Sequence, residues 1–76
     1  MNLTQLDAGI KAKVIELQGG HQFTRRIESM GITAGSIVTK KSSSLMRGPI
    51  ILQKGPMQLA ISYGMAGKIV VEPVNE

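Results

Sequence analysis

The sequence predicts a mainly β fold, a small five-stranded barrel with one short helix after the first strand. Three observations predict it. Met57, Leu59 and Ile61 alternate with Gln58, Ala60 and Ser62, the period of two of a strand with one covered face. Phe23, Ile27 and Met30 recur at i, i+4 and i+7 and run into Gly31, which reads as a helix with one apolar face and a glycine end. Elsewhere, short apolar runs are bounded by Gly, Pro and Ser. Closing such strands into a barrel removes edges that would otherwise pair with other chains.

The elements follow in chain order. Leu3 and Leu6 sit three apart before Asp7-Ala8-Gly9, giving one helical turn or a short arm that closes on a tight turn, with Gly9 at positive φ. Lys11 to Leu17 is the first strand. Ala12 and Val14 share one face, Ile15 and Leu17 the other, so either both faces are covered or a bulge shifts the phase. Gln18-Gly19-Gly20 ends it. The helix runs over Gln22 to Met30. Gly31 supplies the left-handed residue after its end, and Ile32 and Ile27 form the hydrophobic contact of a Schellman stop. Thr33-Ala34-Gly35 turns the chain into a second strand, Ser36 to Lys41, and Ser42 to Gly48 form a loop. Pro49 to Gln53 is the third strand, Lys54-Gly55-Pro56 a tight connection, and Met57 to Ser62 the fourth strand. Tyr63 to Gly67 reads as a 3₁₀ turn, and Lys68 to Val71 as the fifth strand, ended by Pro73. The expected core is Val14, Leu17, Ile27, Ile37, Leu52, Leu59, Ile61 and Ile69.

Residues 1–76 are expected to make one domain, since the chain is too short for two cores. With 42% hydrophobic residues but only Phe23 and Tyr63 aromatic, aliphatic and methionine side chains must fill the interior. The absence of cysteine removes disulfides, thiolate ligands and cysteine nucleophiles, and points to a reducing compartment. The first residues lack the pattern of a signal peptide, and no run approaches the ~20 apolar residues of a membrane span, so a soluble cytoplasmic protein without membrane insertion is expected. The net charge of +4 favours acidic partners, although the basic residues are spread along the chain as for a solvated surface.

The inventory offers no catalytic site. His21 is the sole histidine, and Ser42-Ser43-Ser44 is a loop spacer without a base beside it. No phosphate-cradling glycine motif occurs. A metal site would need converging histidines or carboxylates. Asp7, Glu16, Glu28, Glu72 and Glu76 are scattered, and Met30, Met57 and Met65 read as core, so neither a metal nor a cofactor site is expected. Nucleic acid is a poor fit because single-strand binding wants aromatic platforms, and because Lys40 and Lys41 point to opposite faces of a strand. Leu45 and Met46 are anomalous as large apolar residues in a polar loop. They either fold back or, rimmed by Arg47 and Lys41, contact a partner or a second copy. Arg25 and Arg26 read as a solvated helix face, with an arginine supplied in trans to a nucleotide site as the functional alternative. The candidate partner-binding residues are therefore Leu45, Met46, Arg47, Arg25 and Arg26.

This order of residues resembles the FeoA family of ferrous iron transport proteins and the SH3-like domain at the C-terminus of iron-dependent repressors. The resemblance rests on Leu3, Leu6 and Gly9, on Ala12 and Val14, and on Arg26-Ile27 leading into Met30-Gly31-Ile32 and Ala34-Gly35. It continues through Gly48-Pro49, Gly55, Leu59-Ala60-Ile61, Ala66, Ile69 and Val71. Ala34 departs from the proline usual there, and Gly64 and Gly67 from more polar residues near Ala66. The resemblance implies an SH3-like barrel in the bacterial cytoplasm that assists the ferrous iron permease FeoB by docking on its GTP-binding domain. It implies contact with ferrous ion only by kinship; a homo-oligomer is a separate expectation, from the Leu45-Met46 anomaly. The alternative is an SH3-like adaptor for RNA or another protein, unrelated to iron.

Overall fold

Five antiparallel strands, β1 (Lys11–Leu17), β2 (Ile37–Ser43), β3 (Ile50–Lys54), β4 (Met57–Ile61) and β5 (Ile69–Pro73), form one sheet in the order β4-β3-β2-β1-β5. Helix α1 (Gly20–Ser29) follows β1, and a short helix α2 (Tyr63–Ala66) joins β4 to β5. The computed structural model describes residues 1–43 and 47–74, the side chain of Ser43 apart. Its extents of 30, 29 and 24 Å are those of a sheet wrapped on itself rather than laid flat. Every strand contributes to one interior: Ala12, Val14, Val38, Ile50, Leu52, Ile61, Ile69 and Val71 are buried there with Ile27, Ile32 and Ala66. Among the described residues no ladder pairs β4 with β5. Instead α2 bridges them, while Met1 and Asn2 pair with the free edge of β5 through the Val71 N–H to Met1 O bond (2.8 Å) and a bridge to Val70.

The shifted phase of the first strand is a bulge. Val14 pairs with Val71 but Glu16 with Val70, so Ile15 is the extra residue and stands exposed. The bulge returns Leu17, opposite Ile69, to the core side, where it is partly buried. A second bulge lies at Lys41, between Lys40, paired with Leu52, and Ser42, paired with Ile51.

Helix α1 ends as its sequence requires. Gly31 has φ +90°, its N–H donates to Glu28 O (2.9 Å), and the Ile32 N–H donates to Ile27 O (3.3 Å), the two bonds of a Schellman stop. The helix begins at Gly20, two residues earlier than its apolar spacing implied, with Gly20 at φ +80° and no side-chain cap at Gly19. Gly55 at φ +57° followed by Pro56 has the sign sequence of a two-residue type II′ hairpin turn between β3 and β4.

Four expectations are corrected. Ile37 is not core: it is 43% exposed, and its neighbour Val38 is the buried residue, because opposite Cβ directions on a strand admit only one of the two. Met57 is 44% exposed, since β4 tilts out of the core toward its start, leaving Leu59 half-buried and Ile61 enclosed. Tyr63–Ala66 is an α-helical turn rather than 3₁₀; the Ser62 hydroxyl accepts the Met65 N–H and caps it. The fifth strand does not stop at Val71 but runs through Pro73, its last residue, which pairs with Ala12 at the sheet rim, and the next N–H, of Val74, donates to Lys11 O.

The N-terminal arm is tied down by a lysine. Leu3–Gln5 forms a 3₁₀ turn whose start is held by Asn2, with Asn2 Oδ1 accepting the Thr4 N–H and hydroxyl, and Gln5 Oε1 accepting the Asn2 N–H. Lys40 points inward from β2, only 3% exposed, and its Nζ donates to Leu3 O (3.0 Å) and Leu6 O (2.5 Å). Burial pushes its pKa below the ordinary lysine value, and the nearby Asp7 carboxylate offsets part of that shift.

Candidate partner-binding surface

Helix α1 is anchored by Ile27 on its buried side, which leaves Arg25 and Arg26 exposed. The two arginines do not share an environment. Arg26 lines a shallow cleft of about 360 Å³ with Gln22, Phe23, Met65 and Lys68, whereas Arg25 lies outside it. The cleft forms because α2 is capped by Ser62 and turns Met65 toward α1. Lys68, at the start of the last strand, places its Nζ 5.4 Å from the centre of the Phe23 ring. That is cation–π range, so the half-buried Phe23 packs below a charged rim.

Arg47 joins the same region through the other end of α2. Its backbone has φ +64°, which costs a side-chain-bearing residue energy and fixes the direction in which the chain leaves the loop. The guanidinium lies 5.8 Å from the centre of the exposed Tyr63 ring. Leu45 and Met46 lie outside the described residues. Of the sequence-derived set, then, Arg26 and Arg47 are brought to opposite ends of α2, and Arg25 stands apart on α1.

Sequence reasoning missed Tyr63, Met65 and Lys68. The available signal was composition: an aromatic residue, a methionine and a lysine around glycines, too short a segment to bury them all. Among the described residues no three His, Asp or Glu side chains gather as a metal-binding group. No helix is long and apolar enough to cross a membrane.

The FeoA domain model matches residues 1–73. The chain belongs to the FeoA family. A crystal structure described as the iron uptake regulatory protein FeoA is 32% identical, with a TM-score of 0.87, covering 97% of this chain and 96% of its own. A FeoA-like protein from Clostridium acetobutylicum is 28% identical with a TM-score of 0.87, covering 100% of this chain and 88% of its own. The FeoA of Stenotrophomonas maltophilia, solved with zinc, is 25% identical with a TM-score of 0.80 over 95% of this chain and 89% of its own. It is described as a prokaryotic SH3 domain protein and put forward as a ferrous iron transport activating factor. No curated protein sequence matches the chain. The fold of this FeoA protein is therefore the SH3-like barrel, and family membership supports an accessory role in ferrous iron transport.

Proposed function

We propose that this FeoA protein acts in the bacterial cytoplasm by docking on the GTP-binding domain of the ferrous iron permease FeoB. The observation that carries the reading is the cationic cleft between α1 and α2, with Arg26 and Lys68 around Phe23 and Met65, in a chain of this family. A half-buried aromatic and a methionine rimmed by positive charge are suited to a protein face with acidic margins. A cation already lies over each of the two aromatic rings, in competition with a stacking base. Docking would act by binding one conformational state of the partner more tightly than another. Ferrous ion is the cargo of the permease in this reading, not a resident group of the barrel.

The test is binding and GTP hydrolysis by an isolated FeoB GTP-binding domain. Wild type should bind and weaken with added salt, and Arg26→Glu with Lys68→Glu should weaken binding and flatten that salt dependence. Leu45→Asp with Met46→Ser should weaken it as well if that loop extends the contact. Stimulated hydrolysis that survives Arg25→Ala with Arg26→Ala excludes a catalytic arginine. No binding at low salt would sink the proposal.

A further inference from the structure

The bulge in β1 marks a second surface, on the outside of the barrel along the seam between β1 and β5. Ala12 and Val14 on β1 and Ile69 and Val71 on β5 are buried, so Lys13, Val70 and Glu72 point outward. The bulge then places Ile15 and Glu16 together on the exposed side, against the single Val70 of β5. Ile15 is 44% exposed, with Val70 half-buried across the seam. One step along, Lys13 pairs with Glu72, and both are exposed. The Glu16 carboxylate is drawn toward the end of the strand, where it accepts a bond from Gln18 Nε2 (3.0 Å). The seam therefore carries an apolar step, Ile15 and Val70, followed by a charged step, Lys13 and Glu72.

That pattern is its own complement. A two-fold axis lying along the seam exchanges β1 and β5 across an interface while keeping each residue at its height along the strands. Lys13 then faces Glu72 of a second copy, Ile15 faces that copy's Val70, and the reverse contacts follow by symmetry. The four charges form a square in which every neighbour, within a copy and across the interface, has the opposite sign. We infer that the occupant of this face is a second copy of this chain, in a symmetric dimer along the β1–β5 seam. Ile15, left in water by the bulge, gains burial there. A partner of one charge sign would meet its own sign at either Lys13 or Glu72, which is why a copy carrying both fits better. The outside of a barrel is convex, so the contact is a strip and the dimer is weak. The face shares no residue with the α1–α2 cleft or with Leu45 and Met46. The dimer is thus independent of the FeoB reading and distinct from association through that loop.

The test is sedimentation equilibrium of the full chain at concentrations up to about 1 mM, the range of a small interface. Wild type should show a monomer–dimer equilibrium, and dilution of the ¹⁵N-labelled chain should shift the amides of Lys13, Ile15, Val70 and Glu72. Lys13→Glu alone and Glu72→Lys alone should each weaken the dimer about tenfold or more, since either reversal sets two like-charged pairs in contact. An equimolar mixture of the two variants should recover association, because the mixed pair restores unlike charges at both contacts. A folding defect in either variant does not produce that recovery. Ile15→Ser should weaken the dimer about fivefold while leaving the melting temperature of the dilute chain near wild type. The inference is overturned if the chain stays monomeric throughout, or if the mixture associates no better than its components. A dimer that survives both reversals, or is lost only with Leu45→Asp and Met46→Ser, would place the contact elsewhere and overturn it too.

Discussion

Lys40 Nζ, on the second strand, donates a 2.5 Å hydrogen bond to the carbonyl of Leu6, at the end of the N-terminal 3₁₀ turn. A second bond reaches Leu3 O, and the backbone carries the same junction, with the Gly9 N–H donating to Lys40 O and the Lys40 N–H to Ile10 O. The lysine thus satisfies carbonyls that the short turn cannot satisfy internally, at a place water does not reach. Leu3 and Leu6 are held in the core as a consequence. Lys40→Met keeps most of the stem and removes the donors, leaving two carbonyls without their partner. We expect a loss of about 2 kcal/mol, the scale for a buried group left unsatisfied, measured by urea denaturation. A loss below ~0.5 kcal/mol would mean that the arm is held by its leucines alone.

The same lysine gives stability a pH dependence of definite sign. Burial lowers the folded pKa below lysine's ordinary value of 10.5. Between the folded and unfolded values the unfolded chain holds more protons, so stability rises with pH across that window. Unfolding free energies of wild type and Lys40→Met should therefore diverge further in favour of wild type as pH is raised toward 10.5. A constant difference would place the folded ammonium at its ordinary value.

Gly31 and Gly64 should respond oppositely to a side chain. At Gly31, φ is +90°, and the nearest atoms to an added Cβ are Met57 Cε at 3.5 Å and Lys54 Nζ at 3.9 Å, ordinary contacts. The cost there is conformational: Gly31→Val should destabilise by about 1 kcal/mol or more, since β-branched residues tolerate left-handed backbone poorly. Gly64 lies inside α2 with nothing near its absent Cβ, so Gly64→Ala should stabilise by about 0.5–1 kcal/mol. Thermal melts of the two variants check both signs at once.

These contrasts show which features were legible in the sequence. The Schellman stop was, because Ile27, Gly31 and Ile32 interact within one turn. The phase shift at Ile15 was legible as an anomaly, but its resolution as a bulge needed the pairing with β5. The inward lysine was not legible: on alternation alone Lys40 and Lys41 are equivalent, and only the arriving carbonyls of Leu3 and Leu6 make one of them an interior residue. The functional surface was half legible for the same reason. Arg26 and Arg47 announce themselves as exposed charge, whereas Lys68 acquires its place only when the last strand brings it over Phe23.

Ile37 and Val38 provide the sharpest check on the register of β2. Both are β-branched, adjacent and suited to a strand, so propensity does not separate them. Lys13 opposite Ile37 and Ala12 opposite Val38 put the first outward and the second inward. Val38→Ala should cost about 2 kcal/mol through lost burial and the small cavity left behind. Ile37→Thr keeps the branched shape on an exposed face and should stay within ~0.5 kcal/mol of wild type. If Ile37→Thr proved the more damaging in urea denaturation, the strand would sit one residue out of register, and every outward side chain of β2 would change face.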